Sequence, residues 1–121
     1  MGAFDDLASI QPLGIWDGVL ARVVSGDQCS LAVVELDAGS VVKEHSHPNE
    51  QLGMVLRGSV TFRVDKEVRD LGPGDTWRIP GNTPHEVHTG SEGAVVIDVF
   101  APPRDDWKAH NTLDPQPPLW P

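Results

Sequence analysis

Short apolar segments separated by glycine and proline constrain this 121-residue chain more than any other feature of its sequence. Segments such as GVLARVV, SLAVVELD, QLGMVLRGSVTFRV and GAVVIDVF are rich in β-branched residues, and turn-forming stretches such as SGDQ, DAGS, LGPGD and TGSEG separate them. No long segment has the 3.6-residue period of an amphipathic helix. The pattern predicts a single all-β domain of barrel or sandwich type over residues 1–121, with its core at about residues 16–107 and a proline-rich C-terminal tail at residues 108–121.

The charge of the chain restricts its partners. A formal net charge of -9 argues against nucleic acid, because binding phosphates needs a basic face. No apolar run approaches the roughly 18 residues of a membrane helix, and the first residues, MGAFDDLASI, lack the basic start of a signal peptide. We therefore expect a cytoplasmic protein. The single cysteine, Cys29, excludes an intrachain disulfide, and we expect it to be a small, buried or half-buried apolar side chain.

Two histidines one residue apart form the clearest candidate site. On a strand, His45 and His47 would point to the same face, so both rings could reach one ion. Gln51 begins the next strand, where Gly53 on the same face leaves room beside a site, and His85 follows a predicted turn. Taken alone, the pair is equally compatible with two solvated histidines at a strand end.

The oxygen donor that would complete such a site is Gln51 or its neighbour Glu50. We favour Gln51, because Glu50 would point to the opposite face of the strand. Three histidines and a neutral amide would leave a bound ion its full positive charge, which suits a Lewis acid for an anionic oxygen ligand. The set fits one divalent ion of Fe, Ni, Mn, Zn or Cu. His88 is expected to be solvated, and His110 in the tail is given no role.

The spacing of these residues resembles the cupin superfamily. Its first motif, Gly, five residues, His-x-His, three or four residues, Glu, six residues, Gly, matches Gly39, His45, His47 and Gly58, with Gln51 in place of Glu. Its second motif matches Gly74, Pro80 and His85, with Asn82 in place of a Gly and Thr89 in place of an Asn. The resemblance implies a double-stranded β-helix, that is, a small jelly-roll barrel with the site inside it.

The segments EHSHPNEQLGMVLRG, GDTWRIPGNTPH and EGAVVIDVFAPPRDDW resemble more closely the KdgF-like cupins, a family of small pectin-degradation proteins. The resemblance covers roughly Trp16 to Trp107 and implies ring opening of 4,5-unsaturated monouronates to linear keto-uronates. The family's metal ligands fall on His45, His47, Gln51 and His85, and its other implicated residues fall on Asp98, Phe100 and Arg104.

The chemistry of these last three residues agrees with that implication. Alternation in AVVIDVF places Asp98 and Phe100 on one face. Burial would raise the pKa of Asp98, which suits a general acid or base, although a structural hydrogen-bonding role is the alternative. Arg104 follows the rigid segment APP and is suited to binding a carboxylate with two hydrogen bonds, with an ion pair to Asp105 or Asp106 as the alternative. Phe100 is expected to be a wall of the pocket.

The expected partners are a small anionic ligand and a second copy of the chain. Arg57 shares the strand parity of Gln51 and is expected to point inward as a second anion contact. The apolar outward faces of two strands, and Trp107 and Trp120 beside them, predict a homodimer through Leu52, Met54, Leu56, Val95, Ile97 and Val99. The tail is expected to lie on the surface or on the partner.

Three functions are compatible with the sequence. The first is a metal-assisted enzyme of lyase or isomerase type acting on a small anionic, cyclic, oxygenated substrate. The second is a ligand-binding or sensing cupin whose metal is structural, and the third is an iron-dependent dioxygenase. A binding module has no need of a carboxylate with a raised pKa facing the metal, so Asp98 distinguishes the first from the second.

Overall fold

Eight antiparallel strands make up the computed structural model, which describes residues 2–121. Short 3-10 helices precede and follow the strands at Leu7–Ser9 and Asp105–Ala109. No helix in the described range is long and apolar enough to cross a membrane. The strands are β1 (Leu13–Trp16), β2 (Val19–Ser25), β3 (Ser30–Leu36), β4 (Val41–His45), β5 (Glu50–Val64), β6 (Glu67–Leu71), β7 (Thr76–Ile79) and β8 (His85–Ala101).

The long strands β5 and β8 pair with each other twice and so belong to two layers. Residues 50–58 of β5 pair with residues 94–101 of β8 in one layer, whose further strands are β1, β2, β3 and β7. Residues 60–64 of β5 pair with residues 85–89 of β8 in the other layer, which β4 and β6 complete. This arrangement confirms the predicted all-β jelly-roll barrel.

The change of layer occurs at glycines. Gly58 has a φ of +79° and interrupts the pairing register of β5, and a Cβ at this position would overlap the carbonyl oxygen of Gly93 on β8. A residue with a side chain would therefore meet both an unfavourable backbone conformation and a backbone contact that has no freedom to move. The passage of β5 and β8 from one layer to the other thus depends on the close approach of two glycine backbones, Gly58 and Gly93.

Alternation along β8 decides what faces the inside of the barrel. Val96, Asp98 and Phe100 are buried on the inner face, as the period of two predicts. They join a core that comprises Val19, Ala21, Ala32, Val34, Leu36, Val42, Val55, Val60, Phe62, Trp77, Ile79, Val87, Ala94 and Trp107. Since the inner face of a small barrel is otherwise aliphatic and aromatic, a carboxylate there needs specific partners.

The C-terminal tail returns over the outside of its own chain. A buried ion pair between Arg22 and Glu35, 2.7 Å apart, holds it: Arg22 donates to the carbonyl of Gln116, and the Leu119 amide donates to Glu35. These contacts give the buried charges on the outer face of β2 and β3 partners, and only Nε of Arg22 has none among the described residues. The tail therefore lies on the surface of its own barrel, which is one of the two positions expected for it.

Four side chains lie elsewhere than the sequence indicated. Arg57 is exposed and donates to the carbonyl of Leu119, because a bulge between Val55 and Arg57 adds one residue to β5 and reverses its inward and outward sides. Cys29 is exposed in the turn between β2 and β3. Val95 and Trp107, expected at a dimer interface, are buried within the chain itself, at 1% and 8% exposure.

Replacing Gly58 by Ala tests the close approach of β5 and β8. We expect the free energy of unfolding in urea to fall by about 2–4 kcal/mol, because the positive φ and the overlap with Gly93 add together. Gly72→Ala is the matched control, since a Cβ at Gly72 has no neighbour within 4 Å, and its effect should stay within about 0.5 kcal/mol. Equal effects of the two substitutions would contradict this account of the layer change.

Candidate metal centre

A cavity of about 280 Å³ opens from the inside of the barrel. That volume lies just below the usual range for small-molecule sites, roughly 300 Å³ and above, and so suits a ligand of monosaccharide size. The predicted metal ligands and the predicted catalytic residues all line this one cavity: His45, His47, Gln51, His85, Asp98, Phe100 and Arg104.

Three histidines converge at one side of the cavity. His45 ends β4, His85 begins β8, and the two residues are paired partners across these strands, while His47 lies in the turn before β5. The ring centroid of His85 lies 4.3 Å from that of His45 and 4.9 Å from that of His47. One ring nitrogen of each histidine lies within 4.8 Å of the other two. Such spacing allows all three rings to bind a single ion.

Backbone carbonyls fix the tautomer of each ring. The Nδ1 atoms of His45, His47 and His85 lie 2.8, 3.0 and 2.8 Å from the carbonyl oxygens of residues 43, 49 and 83, respectively. A carbonyl only accepts, so each Nδ1 carries the proton and each Nε2 keeps its lone pair. Burial lowers the pKa of His85 to about 4 and also lowers the pKa of His47. The rings of His47 and His85 are therefore neutral at pH 7, the form that binds metals.

Two features of the cluster favour a bound cation. The Nε2 atom of His85 is buried and has no hydrogen-bond partner among the described residues. The Nε2 atom of His47 lies 3.1 Å from the side-chain oxygen of Gln51, although both atoms are acceptors in the tautomer just described. A positive ion between these acceptors would satisfy them all, so the residues present fit a divalent metal ion, whose identity the donor set does not choose.

Gln51 occupies the position expected of the fourth ligand, and Glu50 does not. Gln51 is buried on the cavity side of β5, whereas Glu50 is exposed on the other side. The amide nitrogen of Gln51 donates to Oδ1 of Asp98 at 2.9 Å. Because this bond occupies the NH₂ end of the amide, the carbonyl end is turned toward His47.

Asp98 is held by a residue that the sequence did not single out. Trp77 Nε1 donates to Oδ1 of Asp98 at 2.8 Å, on the same oxygen that accepts from Gln51, while Oδ2 makes no hydrogen bond to the described residues. Burial raises the pKa of Asp98 to about 6, and the hydrogen bonds from Gln51 and Trp77 and the charge of Arg104 act against this rise. The sequence feature that could have indicated Trp77 is Gly53, its paired partner on β5. A Cβ at Gly53 would overlap the indole ring.

Arg104 lines the same cavity and lies among aromatic rings. Its guanidinium carbon lies 4.7 Å from the centre of the Phe100 ring and 4.4 Å from that of Trp107. Asp106 accepts from Nε and Nη2 of Arg104, both at 3.0 Å. The ion pair with Asp106, one of the two considered for this arginine, is therefore formed, and Arg104 holds the pKa of Asp106 below its usual range.

The remaining histidines differ in their surroundings. His88 is exposed and lies 2.9 Å from Glu86, in agreement with the expectation that it is solvated. His110, to which the sequence gave no role, lines the cavity together with Trp16, whose ring centre lies 5.5 Å from that of His45. His110 and Trp16 reach the cavity from segments outside the two long strands, and neither belongs to a recognisable motif.

Comparison with known proteins identifies the family of the chain. The cupin domain family matches residues 32–100. The pectin degradation protein KdgF of Dickeya dadantii (strain 3937) is 30% identical over 105 residues, which cover 85% of this chain and 94% of that protein. The structure of KdgF from Halomonas sp. superposes with a TM-score of 0.80 at 28% identity, over 88% of this chain and 98% of that one.

A more distant relative shares only part of its length with this chain. The oxalate decarboxylase OxdC of Bacillus subtilis (strain 168) is 28% identical over 72 residues, which cover 55% of this chain but 19% of the decarboxylase. The match to KdgF, in contrast, extends over most of both chains, and the cupin match spans more than half of this one. The chain therefore belongs to the cupin family and, within it, to the KdgF-like cupins.

Proposed function

We propose that this protein is a metal-dependent enzyme that opens the ring of 4,5-unsaturated uronates. The observation that supports the proposal best is the meeting of three elements in one cavity: a three-histidine cluster, a buried carboxylate with a free oxygen, and a buried arginine. Similarity to a pectin degradation protein over 85% of the chain favours a uronate over other small anions. The cytoplasmic location stays a prediction from the sequence.

The proposed reaction is an isomerisation that needs one proton moved. As the bond between C1 and the ring oxygen breaks, the anomeric hydroxyl loses a proton and becomes an aldehyde. The electron pair of the broken bond stays on the oxygen at C5 as an enolate, which takes the proton at C4 and becomes a ketone. Asp98 suits both transfers, because its Oδ2 faces no protein donor and its pKa of about 6 is close to neutrality.

The other residues bind and orient the substrate. Arg104 supplies a cation for the substrate carboxylate, and Phe100 packs beneath the guanidinium as a wall of the cavity. A divalent ion held by the histidines and Gln51 would supply positive charge for an oxygen of the substrate. The buried, largely apolar walls restrict water and strengthen these electrostatic contacts.

Metal binding is tested by removing two of the imidazoles. We expect protein reconstituted with a divalent ion and then desalted to retain about one ion per chain by elemental analysis, as a site with four donors predicts. His45→Ala combined with His47→Ala should retain almost none, because two of the four donors are lost. His88→Ala is the control and should bind as wild type, since His88 is exposed and lies against Glu86. Full occupancy in the double variant would refute the site.

Activity is tested by following the ultraviolet absorbance of the conjugated double bond in unsaturated galacturonate. We expect the metal-loaded protein to accelerate its loss over the spontaneous rate and Asp98→Asn to reduce kcat by about 10²–10⁴-fold. Asp98→Asn should keep its metal, because an amide oxygen can still accept from Gln51 and Trp77. Asp70→Asn, at an exposed carboxylate on β6, is the control.

Two results would contradict the activity proposal separately. No acceleration by the wild-type protein would remove the uronate substrate and favour the ligand-binding alternative. Acceleration that Asp98→Asn leaves unchanged would remove the proton-transfer role while the substrate assignment stands.

We also propose that the protein is a homodimer. Val24, Leu31, Val99 and Leu52 form one row of paired residues across β2, β3, β8 and β5, and each is 36–45% exposed on the outer face. A continuous apolar row across four strands is unfavourable in water and is typical of an interface with a second copy. The buried Val95 is not part of this row.

The interface is tested by placing a charge in the row. We expect wild-type protein to have the mass of two chains in sedimentation equilibrium and Leu52→Asp to have the mass of one at low concentration, because a buried unpaired carboxylate opposes association. Val68→Asp is the control, since Val68 is similarly exposed, at 49%, but lies on β6 outside the row. A wild-type mass of one chain across dilution would exclude the dimer.

A further inference from the structure

The guanidinium of Arg104 is fixed by contacts that do not involve its anionic partner. It stacks against Phe100 and Trp107, and both rings are buried. The backbone amide of Arg104 donates to the hydroxyl of Ser30 at 3.0 Å, which anchors the chain at this residue. Cation–π contacts with two rings fix the plane of the guanidinium, so the group would stay in place when its partner changes.

The partner present in the structure is a carboxylate of the chain itself. Asp106 accepts two parallel hydrogen bonds, at 3.0 Å each, from the edge of Arg104 formed by Nε and Nη2. This two-bond geometry is the one in which arginine binds any carboxylate, including that of a ligand. Asp106 therefore occupies the position in the cavity wall where a ligand carboxylate would bind.

The two members of this ion pair differ in how easily they part. The side chain of Asp106 is 61% exposed and that of Arg104 is 7% exposed. Asp106 can turn into water by a rotamer change, and an exposed carboxylate loses little by doing so. The buried arginine, in contrast, loses much when it has no anion. Departure of Asp106 is therefore favourable only when another anion takes its place.

We propose that Asp106 is a displaceable internal ligand of Arg104 and that this exchange makes the cavity selective for ligands that carry a carboxylate. A carboxylate replaces Asp106 charge for charge and keeps both hydrogen bonds. A neutral ligand of the same shape would leave the guanidinium unpaired or would have to bind beside the intact ion pair. The inference rests on the proposed function in one respect, that Arg104 contacts the ligand carboxylate.

Calorimetry with D-galacturonate, a uronate that lacks the reactive double bond, tests the exchange on the metal-loaded protein. We expect Asp106→Asn to bind it about five- to tenfold more tightly than wild type. This is the gain expected if Asp106 occupies Arg104 roughly 80–90% of the time in the unliganded protein, because the substitution removes that competition. Asp105→Asn is the matched control: Asp105 lies on the same short helix, is 73% exposed and pairs with Lys108. Its affinity should stay within about twofold of wild type, as for other exposed pairs.

Two additions make the test specific. Asp106→Ala should give at least the gain of Asp106→Asn, because an asparagine oxygen can still accept one hydrogen bond from Arg104 and so compete weakly, whereas alanine cannot. Neutral D-galactose should show no gain with either variant, so the ratio of galacturonate to galactose affinity should rise by the same five- to tenfold, about the size expected from removing the competitor.

Four results would overturn the inference: unchanged galacturonate affinity in both Asp106 variants, weaker affinity in both, an equal gain for galactose, or no galacturonate binding to any variant. Weaker affinity would mean that Asp106 holds Arg104 in place and is not displaced. Because galacturonate is bound without turnover, absence of ring opening would refute the proposed function and leave this inference standing. Ring opening together with unchanged galacturonate affinities in the Asp106 variants would refute this inference and leave the proposed function standing.

Discussion

The register between β5 and β8 is the constraint on which the cavity depends. It places Gly53 opposite Asp98 and Gln51 opposite Phe100. A Cβ at Gly53 would overlap both the indole of Trp77 and Oδ1 of Asp98, so the bare backbone there allows an indole, an amide and a carboxylate to meet at one oxygen atom. A slip of one residue would turn these groups to the outer face, because side chains alternate along a strand.

The charges inside the barrel are arranged in compensated groups. His47 and His85 are neutral, Asp98 has a raised pKa, and Arg104 is paired with Asp106. The cavity can therefore exist without large uncompensated charge, yet it offers acceptors to a cation at the histidines and a cation to an anion at Arg104. An ion and an anionic ligand would thus stabilise one another's binding, since each brings the charge that the other lacks.

The sequence predicts the parts of this site that depend on local periodicity. The spacing of the histidines and the inward side of Asp98 follow from the period of two, and the motif glycines indicate the barrel. Arg57 was placed wrongly because a bulge at Leu56 reverses the phase of the strand, which depends on the partner strand. Trp77 was missed for a similar reason, because it reaches Asp98 across a strand pair. Asp106 was considered only as an alternative partner of Arg104, which it reaches through a turn of 3-10 helix. Such contacts are set by tertiary packing, which residue spacing alone does not report.

The two oxygens of Asp98 have separate tasks, and this separation makes one buried carboxylate sufficient for the site. Oδ1 accepts from Trp77 and Gln51 and so determines which end of the Gln51 amide faces His47. If Oδ1 were lost, the amide could rotate and present its NH₂ group to the cluster, where a donor would repel a cation. Oδ2 has no such partner and stays available for a proton. A carboxamide at position 98 would still orient Gln51 but could not accept a proton, whereas an aliphatic side chain could do neither. The geometry of the candidate metal centre and the proposed proton transfer are therefore coupled through one side chain but chemically separable.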